Sequence, residues 1–539
     1  MSKVDTSITI EEKDVNQAIK KLINQVYYDK SNTNLHLREK LSECISKREL
    51  KRVSERVLKL VNGKKLDDFK IEDIGFKTIP KSVEAPDLES SREYLSNNRT
   101  SENYNVKDIN LIIDAPLEVH ILSVLWLMKL GVYLDEQLSD TCYGNRLILN
   151  EDSKFPELKS GRALLKPYTH QYQKWRDEGI RKAKHQLDEG NDVAFINLDI
   201  SSYYYRVRVD WNELDDIFKI TEQKENVQRL NSLLKEFHQV YTRKLVERHQ
   251  VKLDLEGDDR WDEKYVILPL GLVSSYTLGN YYLKKFDEYV EQYIGPDYYG
   301  RYVDDIVIVL NKPRLNENFE KGLSQALIER YDHEVKDGSE VPPDVKFIGN
   351  NLSELFRIEL KKEDDDQIDE DNEGVNRNDS KKSYLYKFRD EIKENYSKLS
   401  IKNSKVLIYE FKAGQSTSVI EKLIKDIEER SSEFRFLPTD KDANFDTDAF
   451  ELLYDDSFGK PRTLKDYKES KLGLAIYLYR RSAVAIWAEK NELKDESEKI
   501  LAFFDGINLI NFYQYWERVF TYLVIADRKK QILDLLKSC

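Results

Sequence analysis

Three aspartates carry the strongest chemical signal in this chain. Asp199 closes the apolar run Ala194-Phe-Ile-Asn-Leu-Asp199, and Asp304 and Asp305 stand near the head of Tyr302-Val-Asp-Asp-Ile-Val-Ile-Val-Leu310. Both runs are short and apolar, with the β-branched or aromatic residues of buried strands. A carboxylate at the end of a buried strand needs a partner, because an unpaired charge removed from water is expensive. A divalent cation is one such partner. Successive residues of a strand point to opposite faces, so Asp304 and Asp305 can converge on one site only from a turn. A hairpin with Tyr299-Gly300-Arg301 before the turn and strand after it would provide one, and Asp199 from a neighbouring strand would complete the cluster. Two Mg2+ ions held about 3.5–4 Å apart by carboxylates can activate an attacking hydroxyl and stabilise the leaving oxygen of an in-line displacement.

The elements around these strands are mostly helical in pattern. Residues 1–100 read as helix with polar breaks, Val57, Leu58 and Val61 supplying part of one stripe and Ser96 to Ser101 a loop. From Ile109 to Leu138 the chain turns apolar. Val119, Ile121, Leu122, Leu125, Trp126, Met128 and Leu130 fit a buried helix ended by Gly131. Residues 160–188 are rich in Lys, Arg and aromatics. Between the two strand runs lie a helical stretch (213–249), a charged loop (255–264) and an apolar stretch (265–283). Nine acidic positions between Glu363 and Asp379, with almost nothing apolar among them, read as a solvated linker. Helical spacing returns at Val419, Ile420, Leu423, Ile424 and Ile427, and again from Leu472 to Trp487.

Composition narrows the classes. The 539 residues suffice for about two to four domains. At 40% hydrophobic and 34% charged, the chain is not collagen-like, low-complexity or a disulfide scaffold. Three scattered cysteines, Cys44, Cys142 and Cys539, suit a reducing compartment and make no zinc cluster. No apolar run approaches a bilayer span, and the polar start is unlike a signal peptide, so a soluble, cytoplasmic protein without a membrane partner is expected. A net charge of −13 argues against non-specific coating of nucleic acid, although a local basic channel can hide beneath the average.

The flanks of the aspartates resemble reverse transcriptases. Tyr302-Val303-Asp304-Asp305 and its strand look like that family's palm hairpin. Asp199 followed by Tyr203-Tyr204 looks like its first metal-binding strand. Leu268-Pro-Leu-Gly271-Leu-Val-Ser-Ser275-Tyr-Thr-Leu-Gly-Asn280 looks like the motif between them. Ala115–Trp126, Tyr143-Gly-Asn-Arg-Leu147, Lys166-Pro-Tyr168 and Tyr172-x-x-Trp-Arg-Asp177 resemble the fingers of bacterial abortive-infection and defence-associated members. Leu407–Lys412 and Ser431–Pro438 resemble their downstream pair, so the likeness covers roughly residues 110–440.

The resemblance implies an α+β fold of right-hand fingers and palm, an antiparallel sheet with helices, between helical terminal regions. Residues 1–105 would be a helical N-terminal extension, 106–190 the fingers, 191–362 the palm, 363–382 an acidic flexible linker, and 383–539 an α-helical domain replacing a thumb. It implies a Mg2+-dependent DNA polymerase, with Mn2+ as an alternative, acting in anti-phage defence. Its partners would be dNTPs, its DNA product and a non-coding RNA template, or a protein hydroxyl as primer without a template. The helical C-terminal region would serve assembly, as a homo-oligomer or with a partner protein.

Roles follow by position. Asp199, Asp304 and Asp305 would bind the metals, Asp304 being the better candidate of the doublet to touch both, and Ile200 would lend its backbone carbonyl. Tyr204 would stand under the sugar and select dNTPs over NTPs. Arg146 and Lys166 would hold the triphosphate. Gly271 would admit the nucleotide or template to the backbone, and Ser275 and Asn280 would orient it. Lys361 or Lys362 is the candidate general acid towards pyrophosphate. Leu270 replaces the family's Gln and Tyr276 its Pro, which puts ordinary template copying in doubt. Two alternatives remain: a retron or group II-like enzyme copying a cognate RNA, and a non-catalytic palm serving as a nucleic-acid sensor.

Overall fold

The computed structural model describes residues 8–27, 34–84, 105–219, 223–249, 253, 261–314, 342–361, 383–414, 474, 478, 481–482, 485–486, 493–504, 509–510 and 512–538. It is a mixed α+β structure whose sheets are antiparallel. The chain divides into two compact units. One comprises Met1–Ile10, Val61–Gly63 and Leu122–Ile424, and the other Glu11–Leu60, Lys64–Ile121 and Lys425–Cys539.

In the second unit, helices Glu12–Tyr27, Leu35–Ser46 and Leu50–Val61 bury Val15, Ile19, Leu22, Leu41 and Val57. Strands β1 (Gly75–Glu84) and β2 (Asn105–Asp114) pair as an antiparallel ladder. Helix was expected over most of residues 1–100, and the apolar pattern starting at Ile109 was read as leading into helix. The strand at Asn105–Asp114 has a period of two instead, with Leu111 and Ile113 buried and β-branched Ile109, Ile112 and Ile113 suited to a pleat. Helices from the end of the chain, Lys494–Phe503, Trp516–Ile525 and Lys529–Ser538, belong to the same unit. Arg38 from the N-terminal part reaches Glu517 at 3.1 Å.

The first unit is organised on a four-stranded sheet. It contains β3 (Val193–Asp199), β6 (Tyr298–Tyr302), β7 (Asp305–Asn311) and β11 (Val406–Phe411), in the order β11-β3-β7-β6. A short pair, β4 (Val209–Asp210) with β5 (Tyr265–Val266), lies apart from it. A second sheet joins β8 (Phe356–Lys361), β9 (Ser383–Phe388) and β10 (Ser400–Lys402) in the order β10-β9-β8. The chain after residue 383 therefore does not begin as helix. Alternation in Ser383–Phe388 buries Tyr384, Tyr386 and Phe388 on one face, and β11 completes an edge of the sheet that holds Asp199.

β3 is paired on both sides, which explains its nearly unbroken apolar run. The helix Tyr168–Asp188 packs across β3, β6 and β7. Helices Trp211–Phe218 and Glu225–Arg248 match the helical reading of residues 213–249. Their register is pinned by Asn231, whose Oδ1 accepts from the indoles of Trp126 (3.0 Å) and Trp211 (3.3 Å).

Leu117–Asp135, 19 residues long, has the length and apolarity of a membrane span, against the expectation that no run approaches one; most of it is buried inside the protein. Cys44 and Cys142 are free and buried. The acidic run 363–382, the helical stripe at 419–427, the Ser431–Pro438 segment, Lys362 and Cys539 lie outside the described residues, as does most of 472–487.

Candidate functional site

Asp199 and Asp305 face each other where β3 ends and the β6–β7 hairpin turns, and Asp304 lies in that turn. The ladder sets Asp199 directly opposite Asp305, and Tyr302 opposite Asp305 on the other side. Directly opposed residues of an antiparallel pair project to the same face, so Asp199 and Asp305 present like charges to one another. Val303 and Asp304 form a two-residue turn between the strands. Val303 has φ 60°, a left-handed conformation that a β-branched residue adopts only under constraint. Ile200 donates its N–H to the carbonyl of Asp304 at 3.0 Å, locking the turn onto the end of β3.

The turn is held from beneath by a buried ionic network. Arg301, 0% exposed, forks onto Asp287 through Nε (2.8 Å) and Nη2 (2.6 Å). Its Nη1 donates to the carbonyl of Val303 at 3.0 Å and to Asn280 Oδ1 at 3.1 Å, and Nη2 also reaches the Asn280 carbonyl at 3.1 Å. Tyr299 Oη donates to Asp287 Oδ1 at 2.5 Å. Burial and the adjacent Asp287 carboxylate push the Tyr299 hydroxyl well above the usual phenol range.

The segment Thr141–Tyr143 bridges to β6. Tyr143 N–H donates to the Arg301 carbonyl and Arg301 N–H to that of Thr141, each at 2.8 Å. This brings Gly144 so close that a Cβ there would lie 2.7 Å from Val303 Cγ2 and 2.8 Å from Val303 N. Gly144→Ala should displace the hairpin at a cost of about 1–3 kcal/mol. Chemical denaturation would measure that cost, and a hairpin that stays put would leave stability unchanged.

A lysine reaches Asp199. Lys405 Nζ lies 2.9 Å from Asp199 Oδ1, carried there by the turn that leads into β11. Sequence spacing gave no hint of it, since 206 residues separate the pair. Of the expected candidates, Lys361 ends β8, a strand of the other sheet, and Lys362 lies outside the described residues.

The other expected site residues divide in two. Tyr204 is partly exposed and lies edge-on to Tyr276, with ring centroids 6.5 Å apart, so the two polar-sequence motifs do meet. Gly271 has φ 91°, a conformation that a side chain would strain. Lys166 is exposed. Arg146, by contrast, is buried and spends its donors inside the protein: Nε on Asp135 (3.1 Å), Nη1 on the carbonyls of Ser139 and Cys142 (2.9 Å each), and Nη2 on those of Asp135 (3.0 Å) and Leu138 (3.5 Å). It caps the carbonyls at the end of the helix that Val132–Asp135 completes rather than facing a ligand. Burial raises the Asp135 carboxyl even against the attraction of Arg146. Ser275 Oγ donates to the Pro269 carbonyl at 2.8 Å, and Asn280 Nδ2 to the Gly144 carbonyl at 2.6 Å. Both side chains are buried and shape the turn and the hairpin's support.

Among the described residues no group of three or more His, Cys, Asp or Glu is gathered at metal-ligand spacing. Two facing carboxylates nevertheless suit a cation interposed between them, because like charges opposed across a ladder are destabilising without one. Lys405 meets that need for Asp199 on one oxygen. Carboxylate oxygens are the donors that a hard divalent ion of the Mg2+ kind takes. Neither the family models nor the curated proteins compared with this sequence give a match.

Proposed function

We propose that the chain is a Mg2+-dependent DNA polymerase of the reverse-transcriptase type, acting in anti-phage defence and using either a dedicated RNA template or a protein primer without one. The observation that carries the reading is the register that opposes Asp199 and Asp305 beside a hairpin turn bearing Asp304. On this reading the four-stranded sheet is the palm, and the segment around Tyr143–Lys166 belongs to the fingers. The defence role rests on the sequence resemblance alone.

Asp199, Asp304 and Asp305 would hold the divalent ions, with the Ile200 carbonyl beside them. Bound there, the ions would activate the attacking 3′-oxygen and stabilise the oxygen leaving from the α-phosphorus. Tyr204 would lie under the sugar. Arg301 keeps the Val303 carbonyl, and so the turn, in place before substrate arrives. Lys405, rather than Lys361 or Lys362, would give its Nζ proton to the departing pyrophosphate once its contact with Asp199 is relaxed.

Replacement of Lys405 should therefore slow incorporation by about 10²-fold or more, within the range for positioned acids. Lys405→Arg should be nearly as slow as Lys405→Ala, because guanidinium does not surrender a proton near neutral pH. Recovery in the Arg variant would reduce Lys405 to a source of positive charge.

The reading is tested by purifying the full chain with its co-purifying nucleic acid and supplying Mg2+ and labelled dNTPs, singly and mixed. Incorporation that RNase abolishes points to an RNA template. Resistance to RNase, with a product whose migration shifts after proteinase, points to a protein primer. No incorporation under any of these conditions counts against the polymerase.

A further inference from the structure

Tyr204 does not stand alone. Its ring meets Tyr203 edge-on, with centroids 5.6 Å apart at 67°. Tyr203 is immobilised: it is 2% exposed, and its Oη donates to the Gly279 carbonyl at 2.5 Å. It also meets Tyr276 edge-on, at 6.5 Å and 71°. Tyr276 projects from the helix Ser274–Tyr282, whose start is anchored by Ser274 N–H on Ser123 Oγ (2.9 Å) and Ser275 Oγ on the Pro269 carbonyl (2.8 Å). Tyr204 and Tyr276 are both partly exposed while their neighbours Tyr203, Ser275 and Thr277 are buried. The two rings thus form an accessible pair on an inaccessible, hydrogen-bonded base.

We propose that Tyr276 is a specificity-determining positioning residue: by bracing Tyr204 against Tyr203, it keeps the Tyr204 ring from swinging aside when a nucleotide carrying a 2′-hydroxyl enters. The inference rests on the polymerase reading and adds to it a residue on a separate element. Proline at this position would offer no aromatic edge. A single ring can escape a clash by rotating about χ1, whereas a ring in edge-to-face contact with two others must give up those contacts to do so. Discrimination against ribonucleotides then depends on both tyrosines as one device.

The experiment compares kcat/KM for a dNTP and the matching NTP in the full-length wild type and in Tyr276→Phe, Tyr276→Ala, Tyr204→Ala and Tyr204→Ala/Tyr276→Ala. Tyr276→Ala should lower the dNTP-to-NTP ratio by roughly two- to ten-fold, the span that one aromatic pair supplies. Tyr276→Phe, which keeps the ring edge, should hold the wild-type ratio. The double variant should discriminate no worse than Tyr204→Ala, because removal of the braced ring leaves nothing to brace. A loss of general fitness would lower both substrates alike and leave the ratio untouched. An unchanged ratio in Tyr276→Ala, or additive losses in the double variant, would overturn the inference while the polymerase stands. A wild type that incorporates neither nucleotide would overturn the polymerase reading, and this inference with it.

Discussion

Asp305→Asn should abolish nucleotide incorporation, by on the order of 10³-fold or more, and leave the fold as stable as the wild type or slightly more so. The loss follows from removing one of two carboxylates that face each other across the β3–β7 ladder. The stability result follows from the same geometry. Opposed like charges repel, so neutralising one relieves the pair. Asp199→Asn would in addition weaken the ion pair with Lys405 at 2.9 Å. Thermal melts with and without Mg2+ give a second readout. The wild type should gain stability from the ion by mass action, and Asp305→Asn should gain less. Equal Mg2+ stabilisation in both proteins, or full activity in the variant, would remove the carboxylate pair from the chemistry.

Much of this site was legible in the sequence for a definite reason. Asp199, Asp304 and Asp305 sit in apolar runs where a carboxylate is out of place, and a two-residue turn is the simplest way to join two such runs. Partner choice was not legible. An arginine such as Arg146 reads the same whether its guanidinium faces a phosphate or five acceptors inside the protein, and only the end of a helix nearby decides it. Ser275 and Asn280 are polar residues in a suggestive motif, yet their hydrogen bonds close on Pro269 and Gly144. Lys405 stands in the turn just before β11, a strand that pairs with β3 only in three dimensions. The β1–β2 ladder was missed because Ile109 to Ile113 merges into the apolar helix that follows, and periodicity changes from two to about 3.6 within a few residues.

Arg301 carried a signal that went unused: an arginine immediately before Tyr302, in a strand whose burial is otherwise complete. Arg301→Met should destabilise the protein by about 3–5 kcal/mol, because buried Asp287 loses the guanidinium that pairs with it. Such a variant could lose activity merely by failing to fold. The informative comparison is Arg301→Met/Asp287→Leu/Tyr299→Phe, which removes the whole ionic set and the hydroxyl that bonds to it. Replacement of a buried pair by apolar side chains of similar volume is often neutral, so most of the stability should return. Activity should not. The Val303 carbonyl loses its donor at 3.0 Å, and Val303 is left in a left-handed conformation that costs about 1–3 kcal/mol to maintain. Relaxation of that turn would carry Asp304 away from Ile200, whose N–H holds its carbonyl. Denaturant titration measures the recovered stability, and single-turnover incorporation measures the chemistry. A stable triple variant with wild-type turnover would show that the network only fills space. A stable one that is inactive would place the function of Arg301 in the position of the turn.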